Sequence, residues 1–414
     1  MQERLIQRFC RYAAVESQSV RSQEVPSTPG QWNLARLLAE DLAELGLRDV
    51  HVSDHAVVTA YLPARLPEGH GDVPAVGWVA HMDTVDVSLS PEVHPVIVRS
   101  YQGGDVCQNA QKGIYISVKE HPELEQYIGQ DLIVSDGTSV LGADNKAAIA
   151  NIMVALEYLR ENPDFAHGDI YIGFVPDEET GLCGARAMEL DRFPVKFAYT
   201  IDCCALGELV YQTFNAGYGF LHITGVTAHP MSSKGNTLNP VLVAVDFINM
   251  LSRGETPEYT EKTEGYIWVN GISGDALHTT VNLNIRDHDK AKYEAKKEYL
   301  RACAEFLKLR YPRAKIELEL HESYGNINDA ISPENRGCVD YLFRAMEELD
   351  IPIQDIAMRG GTDGSYLSTQ GIPTPNYFTG AHNFHAVCEF MPMGSVEKSC
   401  LTTLKLMELI AKGK

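Results

Sequence analysis

Apolar residues recur along the chain with two different periods, and each period predicts a different kind of element. Near the N-terminus, Leu5, Phe9 and Ala13 repeat at helical spacing, which predicts an opening helix. Apolar residues at helical spacing over 34–45 predict a second helix, which ends at Gly46. Short apolar runs at 50–52, 57–62 and 75–80 predict strands. The pattern over residues 86–130 predicts a long excursion of the chain from the sheet, with short strands of its own. Such long segments often form the rim of a functional site.

Several apolar runs end abruptly in polar residues. The runs at 76–80, 170–176 and 197–201 lead into His81-Met82-Asp83-Thr84, Asp177-Glu178-Glu179 and Asp202, and a run at 374–378 leads into a segment with His382, His385 and Glu389. Because helical patterns separate these runs, we predict an α/β fold with a mainly parallel sheet. Ligands in such sheets bind beyond the carboxyl ends of the strands, where these polar side chains would meet.

The pattern of the chain changes at about residue 208. Strand, helix, strand, strand, helix and strand patterns follow one another up to residue 322, which predicts a ferredoxin-like α+β domain with a split βαβ arrangement. Patterns after residue 322 would complete the first sheet. We therefore predict a first domain of residues 1–207 and 323–414, which carries the polar strand ends, and a compact inserted domain of residues 208–322.

Composition and charge exclude several classes of partner. The length of 414 residues favours two or three domains, and the net charge of −21 argues against nucleic acid or an anionic membrane surface as a partner. We find no apolar run as long as a membrane span and no signal-peptide pattern. Nine scattered cysteines without a Cys-x-x-Cys pair predict reduced thiols in a cytoplasm and no zinc site built from cysteine.

Each polar residue at a strand end also has an ordinary structural explanation. His81 and Asp83 point to the same side of an extended chain, so Asp83 could fix the imidazole for a metal or simply complete a hydrogen-bonded pair. Asp144 stands where a helix begins, a common place for a capping aspartate. Alone, Glu178 and Glu179 would suit a solvated acidic loop.

The five candidates together favour a metal site over these separate explanations. Two histidines and three carboxylates would converge at one edge of the sheet: His81, Asp144, Glu179, Asp202 and His385. Imidazole and oxygen ligands without a thiolate suit zinc, and also manganese or cobalt. Five ligands are too many for one tetrahedral ion but suit two ions that share a carboxylate. With Asp83 and Glu178 the cluster would carry a charge of −5, which two divalent ions reduce to about −1.

The segments that carry these residues resemble a known family. His-Met-Asp-Thr at 81–84, Gly-Ala-Asp-Asn-Lys-Ala at 142–147, Asp-Glu-Glu-Thr-Gly at 177–181, Asp202 and His-x-x-x-Glu at 385–389 resemble, in order and spacing, the M20 family of di-zinc metallopeptidases. Segments at 214–216, 227–230, 285–287 and 359–364 resemble the tripeptide aminopeptidase branch of that family. Residues 231–233 and His288 depart from that branch, which bears on peptide length rather than on chemistry.

The resemblance implies a role for each candidate ligand. Asp144 would bridge two zinc ions, His81 and Asp202 would complete one metal site, and Glu179 and His385 would complete the other. Cobalt or manganese could replace zinc.

The resemblance also implies the catalytic and orienting groups. Asp83 would orient His81, and Glu178 would be the general base that takes a proton from a zinc-activated water. Neighbours in an extended chain face apart, so we expect Glu179 to bind metal while Glu178 faces the water.

Four further residues resemble groups that contact substrate in the family. His229 resembles a histidine that reaches into a partner subunit's site to stabilise the oxyanion, although it also suits a simple turn before proline. Arg286 and Arg359 resemble residues that hold the peptide carboxylate, although a lone arginine is normally a surface residue. Asn383 would donate to the substrate backbone.

The implied function is that of a cytoplasmic, metal-dependent aminopeptidase that removes the N-terminal residue from tripeptides and dimerises through its inserted lid domain. Two alternatives stay open. One is a related dipeptidase, carboxypeptidase or deacylase with the same metal site. The other is a non-catalytic protein that binds metal or peptide, which would need neither Glu178 nor Asp83.

Overall fold

The structure, a computed structural model, describes residues 1–69 and 71–413. The helices are α1 (Gln2–Ala13), α2 (Pro29–Glu44), α3 (Ala143–Glu161), α4 (Cys183–Arg186), α5 (Pro240–Met250), α6 (Lys290–Arg310), α7 (Gly337–Glu348), α8 (Asp363–Thr369) and α9 (Met393–Lys412). The strands are β1 (Arg48–Val52), β2 (Val58–Leu62), β3 (Val76–His81), β4 (Pro95–Val98), β5 (Val106–Asn109), β6 (Ile114–Ile116), β7 (Leu132–Ser135), β8 (Ile170–Val175), β9 (Phe197–Cys203), β10 (Glu208–Gln212), β11 (Asn215–Thr224), β12 (Tyr266–Gly274), β13 (His278–Asp287), β14 (Lys315–Tyr324), β15 (Gln354–Ala357), β16 (Asn376–Phe378) and β17 (Phe390–Pro392).

An eight-stranded sheet organises the first of two compact units, and its strand order is β1-β2-β8-β3-β9-β16-β10-β15. The central strands β8, β3, β9 and β16 pair in parallel, whereas β1–β2, β2–β8 and β10–β16 pair antiparallel. The prediction of a mainly parallel sheet is therefore corrected to a mixed sheet with a parallel centre. A short turn joins β1 to β2, and such a connection permits only antiparallel pairing.

Two smaller sheets lie in the long excursion of the chain. β17, β7 and β4 form a three-stranded antiparallel sheet, and β5 pairs with β6. The predicted strand near 131–135 exists as β7, but it belongs to this smaller sheet. Only the strands at the centre of the large sheet bring their ends to a common edge.

The centre of the large sheet is apolar and covered by helices. Every residue of β3 is buried, and α3 is buried over most of its length. α3 packs against α1 and α9 and against β3 and β9. A helix that is apolar on nearly all sides belongs inside a core, so the start of α3 is held firmly beside the ends of β3 and β9.

The second compact unit comprises Gln212–Asp329 and Ala357–Gly361. Its sheet has the order β12-β13-β11-β14, all antiparallel, and apolar residues of α5 and α6 share one core with the sheet. This is the predicted ferredoxin-like order. The boundary differs from residue 208 because β10 pairs with β16 in the large sheet.

The length and the apolar character of the helices show whether any of them could cross a membrane. Within residues 1–69 and 71–413, none of the helices combines the length and the apolar character that crossing a bilayer requires.

Candidate metal centre

The carboxyl ends of the four central strands bring the candidate residues together. His81 is the last residue of β3, and Asp202 lies near the end of β9. Glu179 lies in the turn after β8, and His385 lies in the segment after β16. Because these strands are adjacent and parallel, their ends share one edge of the sheet.

Asp144 occupies the centre of the cluster. One carboxylate oxygen, Oδ1, lies 2.8 Å from Nε2 of His81, and the other, Oδ2, lies 2.9 Å from Nε2 of His385. Candidate ligand atoms within 4.8 Å of one another form one set from His81, Asp144 and Asp202 and another from Asp144, Glu179 and His385. A third group of such atoms comes from His81, Glu178 and Glu179. The structure thus gathers all five predicted ligands into two sets that share Asp144.

The donor set fits divalent metal ions. Nε2 of His385 lies 2.8 Å from Oε1 of Glu179, yet this buried oxygen has no hydrogen-bond partner among the described residues. Atoms that approach without hydrogen-bond geometry suit a shared metal rather than a finished hydrogen bond. Two imidazoles and three carboxylates are also the ligand types that zinc accepts.

The electrostatics of the cluster favour cations as well. Burial, and after it the charge of Asp144, raises the pKa of both Asp202 and Glu179. Burial acts against ionisation of Asp144 too, but contacts with His385 and His81 lower the pKa of Asp144. Carboxylates that crowd together in a buried site therefore destabilise one another, and a cation among them would relieve this.

Asp83 holds both the first ligand and the acidic turn. Nδ1 of His81 lies 3.1 Å from the backbone carbonyl oxygen of Asp83 and 3.3 Å from its carboxylate. The same carboxylate accepts hydrogen bonds from the backbone N–H groups of Glu178 (3.0 Å) and Glu179 (3.2 Å). A carboxylate on the second imidazole nitrogen fixes the ring of a metal-binding histidine. The expectation that Glu178 and Glu179 lie in an extended chain is wrong, because β8 ends at Val175 and both glutamates lie in a turn.

Two polar side chains support the ligands in ways that the residue pattern did not predict. Glu389 is buried and accepts hydrogen bonds from the backbone N–H groups of Leu141, Gly142 and Asp144. Asn145 donates its amide to Oδ1 of Asp202 at 2.7 Å. The signal for Glu389 was its place in His-x-x-x-Glu, and the signal for Asn145 was its place in Gly-Ala-Asp-Asn-Lys-Ala at 142–147, but neither pattern gave the hydrogen-bond partners.

Two buried charged side chains stand near the ligands, and neither was predicted. Lys146 is fully buried, its amine has no hydrogen-bond partner among the described residues, and burial lowers the pKa of Lys146 to about 8. Asp363 opens α8, and burial raises the pKa of its carboxyl group to about 7. Asp363 belongs to the segment 359–364, which resembles the tripeptide aminopeptidase branch.

The predicted substrate contacts His229 and Arg286 lie in the second unit. His229 is exposed, and its Nδ1 accepts a hydrogen bond from the N–H of Met231. Arg286 donates to the carbonyl oxygen of Gly217 and lies over the ring of Tyr324. Their roles in substrate binding stay predictions.

Arg359 and Asn383 make hydrogen bonds within the protein. Arg359 donates to the carbonyl oxygens of Lys262 (3.1 Å) and Glu264 (2.8 Å) in the second unit. Asn383, in the first unit, donates to Oε1 of Glu123 at 3.0 Å. A substrate contact by either side chain would compete with these bonds, and both roles stay predictions.

Comparisons with known proteins identify the family of this chain. Residues 142–412 match the model of peptidase family M20/M25/M40. A peptidase T-like protein of Yersinia pestis is 49% identical over 413 residues, 100% of this chain and 99% of that protein. Peptidase T of Bacillus velezensis is 41% identical over 410 residues, 99% of each chain.

A solved structure supports the fold. The crystal structure of aminopeptidase PepT from Bacillus cereus is 22% identical, covers 100% of this chain and 99% of that chain, and gives a TM-score of 0.78. The predicted α/β class is thereby confirmed, and the predictions of an M20 resemblance and of a peptidase-type enzyme are confirmed by the sequence matches. The chain belongs to peptidase family M20/M25/M40.

Proposed function

We propose that this protein is a metal-dependent aminopeptidase that removes the N-terminal residue from tripeptides. The observation that carries the proposal is the pair of ligand sets that share Asp144, with Glu178 beside them. The resemblance of four segments to the tripeptide aminopeptidase branch supports the choice of substrate.

Two zinc ions per subunit would be held by the five residues of the two ligand sets, with cobalt or manganese as substitutes. When bound, such ions polarise the scissile carbonyl group and acidify the attacking water. Asp83 keeps His81 in place, and Glu389 keeps the backbone of Asp144 in place, so the chain prepares the ligand geometry in advance.

Glu178 acts as the general base. It takes a proton from the attacking water and passes it to the leaving amine. Its backbone is fixed by the hydrogen bond to Asp83, and burial raises the pKa of its carboxyl group well above the usual value. A carboxyl group with a raised pKa can hold the proton between the two steps.

The ends of the peptide would be held by Arg286 and Arg359 at the carboxylate, by Asn383 at the backbone and by a partner subunit through His229. A homodimer through the second unit is supported by exposed apolar side chains on its helices, namely Leu242, Phe306 and Leu309. A cytoplasmic location is supported by the nine cysteines, which are all free thiols.

The test is to incubate the purified protein with one tripeptide, with its dipeptide and tetrapeptide analogues and with its N-acetylated form. Mass spectrometry identifies the products. We expect release of the N-terminal residue, fastest from the tripeptide and absent from the acetylated form. Faster cleavage of dipeptides, or release of the C-terminal residue, would move the protein to another branch. Binding without turnover would favour the non-catalytic alternative.

A further inference from the structure

We propose that Asp363 is a non-ligating carboxylate of the metal centre, whose buried negative charge strengthens metal binding and destabilises the metal-free protein. This inference rests on the proposed function only in requiring that the centre binds metal. It assigns a role to a side chain that belongs to neither ligand set.

Asp363 is held close to the ligand-bearing strands. It is the first residue of α8, which begins with a capping box formed by Thr362 and Ser365. α8 packs against β3 and β9, and these strands carry the ligands His81 and Asp202. The side chain of Asp363 is 2% exposed, so it lies inside the protein and not at its surface.

One oxygen of the carboxylate lacks the hydrogen-bond partner that a buried charge normally has. Its Oδ1 atom has no hydrogen-bond partner among the described residues. The neighbouring Asp83, by contrast, accepts two backbone N–H groups and contacts His81. The charge of His81 favours the ionised form of Asp363, and the charges of Asp83, Glu179 and Asp144 oppose it. A buried charge with an unsatisfied oxygen is unfavourable, so Asp363 does not contribute to stability in the way that Asp83 does.

The charge of Asp363 acts on the metal centre from outside the ligand sets. It interacts electrostatically with Asp144 and Glu179, and also with Glu178 and Asp202. However, its oxygens belong to none of the groups whose atoms lie within 4.8 Å of one another. In its ionised form, the carboxylate at this place repels the empty carboxylate cluster and attracts any cation within it.

The opposite signs of these two effects provide the test. Asp363→Asn removes the charge and keeps the shape, and Asp54→Asn removes the same charge from an exposed turn as a matched control. Zinc affinity is measured by competition with a coloured chelator, zinc content by elemental analysis, and stability by thermal unfolding with and without zinc. Asp363→Ser is a second neutral variant, and both neutral variants should behave alike.

We expect zinc to bind about 10- to 100-fold more weakly to Asp363→Asn, with the same number of ions per chain. The metal-free variant should melt about 2–4 °C higher than the metal-free wild type. Asp54→Asn should change neither quantity. A merely structural role would lower the melting temperature of the metal-free variant instead.

Three results would overturn the inference. Lower stability of both metal-free neutral variants would make Asp363 a structural residue. Loss of one ion per chain would make it a ligand. If zinc affinity stayed the same but the variant no longer preferred the free tripeptide over its N-acetylated form, Asp363 would be a contact for the substrate ammonium group. If the wild type itself bound no zinc and cleaved no tripeptide, the proposed function would fail instead, which the same measurements would reveal.

Discussion

Two buried carboxylate clusters in the first unit differ in how their charge is balanced. Asp41 is 2% exposed, and its Oδ2 atom accepts hydrogen bonds from Arg8 (2.6 Å), Arg11 (2.8 Å) and Tyr12 (2.7 Å). The metal centre buries its carboxylates with two imidazoles and with Lys146, whose amine makes no hydrogen bond to the described residues. The first cluster is complete with protein donors, whereas the second has the composition of a cation site. Burial of a carboxylate alone therefore does not distinguish structure from function, but its partners do.

The largest expected effect is the loss of turnover when Glu178 is changed. Glu178→Gln should lower kcat by about 10²- to 10⁴-fold, because the general base is lost. The metal content should stay the same, because the substitution leaves in place the two sets of candidate ligands that share Asp144. Peptide hydrolysis and elemental analysis measure the two quantities, with exposed Glu189→Gln as the control. Normal turnover in Glu178→Gln would remove this residue from the mechanism.

The second effect should appear in stability and not in activity. Asp41→Ala leaves Arg8 and Tyr12 without their shared acceptor, so the free energy of unfolding should fall by about 2–3 kcal/mol. Denaturation of the metal-loaded variant by urea measures this change. The value of kcat and the metal content should not change. A loss of bound metal without a loss of stability would contradict the prediction that Asp41 serves stability and not the metal centre.

The third effect is a pH dependence confined to the metal centre. In the metal-free protein, contacts with Asp144 and Glu179 raise the pKa of His385 to about 10. His385 therefore carries a proton at neutral pH, and a metal ion must displace it. Zinc affinity should rise with pH below that value, by about tenfold per unit for each proton released. Chelator competition between about pH 6 and pH 8 checks this, and equal affinity across that range would contradict it.

The pattern of the sequence predicted which candidate ligands converge, because convergence follows from topology. His81, Asp202 and the turn with Glu179 each follow an apolar run, and parallel neighbours must bring such ends to one edge. The pattern did not predict strand direction at the sides of the sheet, since short apolar runs look alike in parallel and antiparallel pairs. It also placed β10 in the inserted domain, because strand pairing over long sequence distances leaves no local signal.

The surroundings of the ligands were harder to predict. Asn145 follows a ligand directly, yet its hydrogen bond to Asp202 joins residues far apart in the chain. Asp363 stands in the segment 359–364, whose resemblance to the tripeptide aminopeptidase branch did not indicate which side chains the aspartate would approach. Such contacts depend on how helices pack against the sheet, which hydrophobic periodicity specifies only approximately.

The most direct test of the account is the metal content of active protein, measured by elemental analysis after gel filtration. The account predicts two transition-metal ions per chain, loss of activity when a chelator removes them, and recovery with zinc, cobalt or manganese. Active protein that contains no stoichiometric transition metal would contradict the account.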